Sequence, residues 1–553
     1  MDSFREIKAR RGYSISYMGK TLLSTIDPVT QGERLAGKTP LKERTLYFCP
    51  SPLYGYGLSL LLEKIPPDSK VICVEADEKL FEVSCNAINE IDKTCPLIKA
   101  KTSESVCAYI RDTYGERAFR RVEPIHLTGG WQLYPELYED MARALRREIA
   151  LEWGNAITMI HLGRLYARNF IRNLSLLPSS EQLASLNFLS APVLVLGAGP
   201  SLDSILDEFT ALWGTEIPEP EKRPFKIICV DTCLPCLLER AIVPDLVVIL
   251  ESQHWNLGDF IGGRSHKIDT ILDLSSLPAS SRVLEGKRYL CWTAWTELGL
   301  FRRLREAGIL NEAVAPLGSV GLSAVALALN AGSGPVLTGG LDFSYTPEAY
   351  HSSSTPEHTA RYIRQNRFQS LINPNLAYRK KTFPASSKNG KTVRSDPVMR
   401  NYRDLFEEEF GGNPRLLDID GPGLPLGLKT ISPSEAFAVL RGEAALSSPW
   451  KIPVKEAAAA VQTRQMEDFI RREIKSLLDL RDMLSGSSAQ EPERLEELLL
   501  NADYVWAHFP EYAGRGKSRQ PGKELSFLKR VRIEIDPFIK CWEMSLLELD
   551  RNK

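Results

Sequence analysis

One stretch constrains the fold more than any other: the apolar run Ala191 to Leu196, the turn Gly197-Ala-Gly-Pro-Ser201, and the amphipathic segment that follows. The run predicts a buried strand, and the segment after the turn predicts a helix. A strand that ends in glycines and continues as a helix directs backbone N–H groups and the positive helix end at one point, which suits a phosphate. A tight turn that must avoid a Cβ clash produces the same pattern. The motif alone therefore leaves a nucleotide site and a structural turn open.

Strands and helices alternate after this motif. Strands are predicted at 191–196, 225–230, 246–250 and 335–338, and helices from 201, at 232–240 and at 322–330. Such alternation implies a mostly parallel sheet, which binds ligands at the carboxyl ends of its strands. A second glycine turn, Gly318-Ser-Val-Gly321, precedes an alanine-rich helix and is another backbone element that favours anions.

The N-terminal part predicts a βαβ unit of its own. Its strands are Thr45–Cys49 and Lys70–Glu75, and Glu75 or Asp77 would hold a ribose. Prolines in the intervening turn remove N–H groups that a phosphate needs. Two interpretations therefore remain open, a purely structural Rossmann-like domain and a functional cofactor site. The chain then reads as mostly helical to about residue 180, with apolar stripes at Tyr138–Glu152 and Met159–Leu177.

The predicted fold class is α/β and multidomain. We expect an N-terminal Rossmann-like domain with linking helices at 1–180, a central Rossmann-like domain at 181–445 and a helical C-terminal domain at 446–553. The C-terminal helices are predicted at 454–484, 491–502 and 524–547.

Composition narrows the function classes. The 553 residues include 69 basic and 70 acidic side chains, so no global field favours nucleic acid or an anionic membrane. The charged N-terminus leads us to expect no export signal, and the long uncharged run 313–341 is interrupted by proline and glycine. Ten cysteines without dense spacing fit a reducing compartment. We therefore expect a cytoplasmic protein with neither a nucleic acid nor a membrane as partner.

Several ordered motifs together resemble one family. Gly197-Ala-Gly-Pro-Ser-Leu202, Val230-Asp-Thr232 and Gly318-Ser-Val-Gly321, followed by Gly340-Leu-Asp-Phe343, look like the core of the motility-associated factor (Maf) glycosyltransferases. Those proteins resemble bacterial CMP-sialic-acid sialyltransferases. The likeness is strong over about 190–430 and looser in the flanking parts.

The resemblance implies a glycosyltransferase that moves a nonulosonic acid, of pseudaminic, legionaminic or sialic type, from a CMP donor to Ser or Thr of flagellin. It implies inversion at the sugar and no need for a metal or a cofactor beyond the CMP-activated donor. Flagellin is then the protein partner, which the flanking domains would recognise, and these domains could also assemble the chain into a homo-oligomer.

The resemblance also assigns substrate-binding residues. The two glycine turns and the Ser201 and Ser319 hydroxyls would stabilise the departing phosphate, Asp231 and Thr232 the ribose or sugar, and Gln253 the donor, while Asp342 would anchor loops around the cytidine. The full predicted set is Gly197, Gly199, Pro200, Ser201, Asp231, Thr232, Gln253, Gly318, Ser319, Gly321, Gly340 and Asp342.

The catalytic base is assigned less directly. In the sialyltransferases the base resembles a histidine late in the lid segment. The matching region of this chain, Gly390–Asp396, contains no histidine. His351 is our candidate, with His358 and Asp396 in reserve. The surrounding segment 344–400 predicts a lid or acceptor-binding insert, although a solvated charged surface fits its basic residues as well; these are Arg361, Arg364, Arg367, Arg379, Lys380 and Lys381.

Two other functions remain open. A related central domain occurs in archaeal hydroxymethylpterin diphosphokinases, whose pyrophosphate transfer would favour Mg²⁺ held by carboxylates. The chain could also be a non-catalytic flagellin-binding assembly factor that retains the fold. Cys233-Leu-Pro-Cys236 imitates a redox motif, but buried helix cysteines are the favoured interpretation.

Overall fold

The computed structural model describes residues 4–92, 95–115, 118–214, 217–311, 313–346, 349–371, 381–442, 461–485, 491–513, 521–522 and 524–551. They form two compact units. The first comprises Met1–Arg164 with Trp506–Pro521, and the second comprises Leu165–Val505 with Gly522–Lys553. The three-domain division stays a prediction, whereas the α/β class with parallel sheets is confirmed.

The first unit contains two sheets. Its strands are β1 (Arg5–Lys8), β2 (Tyr13–Tyr17), β3 (Lys20–Thr21), β4 (Thr45–Pro50), β5 (Lys70–Glu75), β6 (Leu97–Lys99) and β7 (Arg121–Pro124). The first three pair antiparallel, and the other four form a parallel sheet in the order β6-β5-β4-β7. The helices are Pro28–Gly37, Leu58–Lys64, Glu78–Ile91, Ser103–Tyr114 and the start of Pro135–Asn173. The predicted βαβ unit is present.

The long helix differs from the sequence prediction. The two apolar stripes belong to one continuous helix of 39 residues, Pro135–Asn173, and a 3-10 turn, Leu174–Ser179, follows it. The interval between the stripes contains Gly154 but no proline. A single glycine weakens a helix without ending it, and the next proline after Pro135 is Pro178, which lies in the 3-10 turn beyond the α-helix.

The second unit is built on a nine-stranded, entirely parallel sheet. Its strands in chain order are β8 (Glu181–Gln182), β9 (Val193–Leu196), β10 (Lys226–Val230), β11 (Leu246–Ile249), β12 (Asp269–Asp273), β13 (Arg288–Cys291), β14 (Val336–Gly339), β17 (Leu416–Ile419) and β18 (Lys429–Ile431). Their order in space is β18-β17-β14-β9-β10-β11-β12-β13-β8. A separate antiparallel hairpin is formed by β15 (Phe383–Ser386) and β16 (Thr392–Ser395).

Helices cover this sheet and complete the unit. They are Leu202–Trp213, Leu234–Glu239, Gly299–Glu306, Val320–Ala331, Pro356–Arg364, Pro397–Phe410, Pro433–Leu440, Thr463–Ser485, Pro492–Asn501, Asp503–Trp506 and Leu525–Arg551. Every residue of β9, β11, β14 and β17 is buried. Continuous apolar strands such as Val-Leu-Val-Leu are what a parallel sheet covered on both faces requires.

The C-terminal helices pack around a buried polar group. The Arg303 guanidinium donates to both carboxylate oxygens of Glu473, at 3.0 and 2.9 Å. The Tyr504 hydroxyl donates to Glu473 as well, and the Trp542 indole donates to that hydroxyl. Since a buried carboxylate needs several partners, these bonds fix the helices against one another. The predicted helix 454–484 is described from Thr463 onward, and residues 454–460 lie outside the described residues.

Two segments of the backbone approach each other closely where β9 and β14 end. The Gly197 N–H donates to the Gly339 carbonyl and the Gly199 N–H to the Gly340 carbonyl, each at 2.8 Å. Gly340 has a φ of +73°, and a Cβ atom there would lie 2.1 Å from the Gly197 carbonyl oxygen. Only glycine fits this crossing.

We expect Gly340→Ala to destabilise the second unit by about 3 kcal/mol or more, because the left-handed conformation and the backbone clash add. Gly390→Ala is the matched control: its φ is +76°, but nothing lies within 4 Å of the added Cβ. It should cost about 1 kcal/mol. Thermal and urea unfolding of both variants measures the difference, and equal losses would show that the crossing is not tight.

Candidate functional site

A pocket of about 180 Å³ opens at the carboxyl ends of β9, β10 and β14. The chain proceeds from β9 through β10 to β13 on one side, and β14 lies on the other side of β9. The loops that leave the sheet at such a switch point diverge, which makes a crevice for a ligand. The fold alone therefore predicts a binding site here.

Most of the predicted site residues meet in this pocket. Those that line it are Gly197, Gly199, Asp231, Thr232, Ser319, Gly321, Gly340, Asp342 and His351. The other four, Pro200, Ser201, Gln253 and Gly318, are absent from the described lining. Gln253 lies after β11, where its N–H donates to Glu251, and Gly318 forms the left-handed turn before Ser319 with a φ of +69°.

Asp342 changes the expected role of the first glycine turn. The Ser201 N–H donates to Asp342 Oδ2 at 2.7 Å, and the Ser201 hydroxyl donates to Oδ1 at 2.6 Å. Both residues are buried, and burial raises the pKa of Asp342. The carboxylate therefore occupies the start of helix Leu202–Trp213, where a phosphate was expected. The role of Ser201 at a phosphate stays a prediction, and in this structure its amide and hydroxyl are engaged by Asp342.

The second glycine turn presents an open helix start. Ser319 is the N-cap of helix Val320–Ala331 and its side chain makes no capping bond. The Ser323 N–H donates to the Ser319 carbonyl, so the N–H groups before it have no partner within the helix. Ser319, Val320 and Gly321 line the pocket. The positive end of this helix dipole and the Ser319 hydroxyl are thus placed to bind an anion.

The buried carboxylate Asp231 lines the pocket, and the half-buried Asp259 lies close to it. Asp231 follows β10 and accepts from the Thr232 N–H and from Asn256 Nδ2, both at 2.9 Å. Asn256 also donates to Asp259, at 3.1 Å. Burial, together with the charge of Asp259, raises the pKa of Asp231 to about 7. Burial raises the pKa of Asp259 as well. Asp231 can therefore take up or release a proton near neutral pH.

His351 is half-buried at the opening of the pocket. Its Nδ1 lies 3.3 Å from Glu357 Oε2, and this contact lowers the pKa of Glu357. Arg361 pairs with Glu357 at 2.6 Å and lies over the ring of Tyr350. Imidazole beside a carboxylate is an arrangement suited to proton transfer.

The reserve candidates lie in other settings. Asp396 caps helix Pro397–Phe410 through the N–H groups of Val398 and Met399, and it accepts from the Tyr345 hydroxyl at 2.7 Å. His358 lies within helix Pro356–Arg364. Asp396 therefore has a clear structural role. Of the predicted basic lid residues, Arg379 and Lys380 lie outside the described residues.

Sequence reasoning missed several residues of this site. Tyr345, Tyr350, Phe343 and Met399 line the pocket, and Asn256 joins the two aspartates. For Tyr345 and Tyr350, the available sequence signal was their position at the two ends of the segment just before His351. Asn256 lies in a 3-10 segment, His254–Phe260, which neither strand nor helix periodicity reveals.

The ribose candidates in the first unit are already occupied. Both oxygens of Glu75 accept bonds, Oε2 from the Ser51 hydroxyl at 2.6 Å and Oε1 from Tyr138 at 2.9 Å. Burial raises the pKa of Glu75. Asp77 caps helix Glu78–Ile91. These contacts favour the structural interpretation of the first βαβ unit.

Cysteine and metal chemistry receive no support from the described geometry. Cys233 and Cys236 are buried, and burial raises both thiol pKa values, that of Cys236 to about 11. Across the described residues, no group of three or more His, Cys, Asp or Glu side chains is placed to hold a metal ion. Likewise, none of the described helices is long and apolar enough to cross a membrane.

Comparison with known proteins places this site in context. Residues 168–348 match the family described as 6-hydroxymethylpterin diphosphokinase MptE-like. A protein of Treponema pallidum (strain Nichols) with no characterised function is 28% identical over 97% of this chain and 94% of its own length. The Maf glycosyltransferase from Magnetospirillum magneticum AMB-1 is similar in structure, with a TM-score of 0.53, 13% identity, and coverage of 97% of this chain and 90% of that one. The predicted likeness to Maf proteins is confirmed in the fold.

Asp231 gives the site a predictable pH dependence. Its pKa rises from an ordinary 3.8 to about 7 in the folded protein. At pH values between these two, the folded state therefore holds a proton that the unfolded state has lost. The stability from this proton is complete below about pH 4 and is lost as the pH rises toward 7. We expect Asp231→Asn to gain stability relative to the wild type between about pH 4.5 and pH 7.5.

Thermal-unfolding midpoints at several pH values measure this difference. Glu208→Gln, an exposed carboxylate on helix Leu202–Trp213, is the control and should follow the wild type. Parallel curves for Asp231→Asn and the wild type would contradict the raised pKa.

Proposed function

We propose that the protein is a glycosyltransferase that moves a nonulosonic acid from a CMP-activated donor to Ser or Thr hydroxyls of flagellin. The observation that carries the proposal is the open start of helix Val320–Ala331 in a pocket at the sheet's switch point. A single anionic group fits there. The likeness to the Maf glycosyltransferase fold supports the same reaction class.

The donor would bind with its phosphate at the second glycine turn. The Ser319 hydroxyl and the N–H groups of Val320 and Gly321 would stabilise the charge that develops as the bond from sugar to phosphate breaks. Asp342 would act indirectly, since its carboxylate holds the first glycine turn in place. Asp231 and Thr232 border the same pocket and would contact the sugar or the ribose.

The acceptor hydroxyl would attack the sugar carbon from the side opposite the leaving CMP, which inverts that carbon. Its proton would pass to His351, and the nearby Glu357 carboxylate would stabilise the imidazolium that forms. The CMP phosphate leaves with the bonding electron pair. In this proposal the charge is stabilised by backbone and hydroxyl donors without a metal.

Pyrophosphate transfer to a pterin is the second candidate, because the matched family description names a diphosphokinase. That reaction would consume ATP and depend on Mg²⁺. The match ends at residue 348 and does not include His351. A flagellin-binding assembly factor without activity is the third candidate.

Donor binding provides the first test. Ser319→Ala should weaken CMP binding about tenfold, since one hydrogen bond to a charged group is lost, and should leave stability almost unchanged because Ser319 makes no capping bond. Ser432 is the matched control. It caps helix Pro433–Leu440 in a full capping box, so Ser432→Ala should lower the unfolding free energy by about 1 kcal/mol and leave CMP binding unchanged. Isothermal titration measures the CMP affinity of both variants, and urea unfolding measures their stability. A CMP affinity of Ser319→Ala equal to that of the wild type would contradict the phosphate assignment.

Turnover provides the second test. His351→Ala should lower sugar transfer at least about 100-fold with CMP binding retained, because the acceptor proton loses its base. His358→Ala, a neighbouring histidine on helix Pro356–Arg364, should stay near the wild type. Near wild-type turnover by His351→Ala would refute its role.

The same assay separates the three candidates. Turnover of the CMP sugar in EDTA supports the transferase, whereas strict Mg²⁺ dependence with ATP consumption would favour the diphosphokinase. Flagellin binding with no thermal shift from millimolar CMP would favour the assembly factor.

A further inference from the structure

Large apolar side chains stand exposed on two segments that border the pocket. The first is the 3-10 segment His254–Phe260 with the residue after it, where Trp255 is 76% and Ile261 is 72% exposed. The second is helix Pro356–Arg364 and its continuation, where Ile363 is 75% and Phe368 is 82% exposed. We name these side chains, with Leu257 and Tyr362, the rim surface. Grouped exposed apolar residues of this size commonly mark an interaction site.

The rim surface is tied to the pocket on both sides. In the first segment, Asn256 and Asp259 bond to Asp231 and Thr232. In the second, Glu357 lies 3.3 Å from His351, and Arg361 covers Tyr350. The two segments approach each other, since a Cβ atom at Gly258 would lie 4.0 Å from Pro356 Cβ. A molecule seated on the rim surface would therefore lie beside the proposed base.

The charge of these segments is positive on the outside. Arg364 and Arg367 are exposed on the second segment, and Arg264 and Lys267 are exposed in the chain that follows the first. The two acidic residues between 254 and 267 and between 356 and 371 are Asp259 and Glu357. Asp259 is engaged by Thr232 and Asn256, and Glu357 by His351 and Arg361. Charge complementarity therefore selects an acidic partner.

We infer that the rim surface docks the polypeptide acceptor, through a segment whose apolar side chains are flanked by Asp or Glu and whose Ser or Thr hydroxyl reaches the pocket beside His351. This inference rests on the proposed function. Half of the rim surface is aliphatic, namely Leu257, Ile261 and Ile363, which favours a protein over the stacked bases and phosphates of nucleic acid. A small-molecule acceptor would need no exposed apolar surface outside the pocket.

The test compares matched double variants with purified flagellin as the probe. Trp255→Ala with Ile261→Ala, and Ile363→Ala with Phe368→Ala, should each weaken flagellin binding at least tenfold and raise its KM, with CMP affinity unchanged. Ile533→Ala with Leu547→Ala removes two side chains that are also exposed, on helix Leu525–Arg551, and should match the wild type. Arg364→Glu with Arg367→Glu should slow association and reduce its salt dependence.

Unchanged flagellin affinity in both rim variants would overturn the inference, as would no flagellin binding by the wild type. Loss of binding to anionic lipid vesicles or single-stranded DNA, with flagellin binding unchanged, would assign the surface to those partners and overturn it too. Release of CMP from the CMP sugar in the presence of flagellin is measured in parallel on every variant. No release by the wild type would refute the proposed chemistry, while flagellin binding would still decide the docking surface.

Discussion

The buried carboxylate of Asp342 joins the loops that follow β14 and β9, and the pocket is built on that junction. Its two oxygens accept the amide and the hydroxyl of Ser201, and next to this bond the Gly199 N–H donates to the Gly340 carbonyl. The Asp342 carbonyl accepts from Leu424 in the loop after β17. A buried carboxylate that loses such partners costs about 1 to 3 kcal/mol or more. The carboxylate therefore fixes the loops after β14 and β9 to each other, and the backbone of the same residue holds the loop after β17.

The sheet was predictable because its signal is local. Short buried segments such as Val193–Leu196 and Val336–Gly339 are typical of strands in a parallel sheet that is covered on both faces. The glycine turns at their ends were predictable for the same reason. The group that occupies the first glycine turn was not predictable, because Asp342 lies 141 residues after Ser201. A phosphate and a carboxylate from a distant part of the chain are both anions that accept hydrogen bonds at a helix start. Only the folded chain shows which of the two is present.

The residues around the proposed acid and base chemistry show a second limit of prediction from the sequence. Asp231 was expected to contact the ribose or sugar, but its raised pKa depends on burial and on the charge of Asp259. Asn256, which joins the two carboxylates, comes from a 3-10 segment without a periodic pattern. His351 was selected from a family likeness, and its neighbour Glu357 became visible only in the fold. Motifs thus identified the pocket, whereas the side chains that tune its protons required the structure.

The two outermost strands of the large sheet have a consequence for the behaviour of the protein at high concentration. They are β8, Glu181–Gln182, with two residues, and β18, Lys429–Ile431, with three. Long flat edges with unpaired backbone groups recruit strands from other molecules, and short edges that carry charge resist this. A nine-stranded sheet that ends in such edges offers little template for edge-to-edge association. Its apolar strands are thereby protected from the aggregation that their sequence alone would favour.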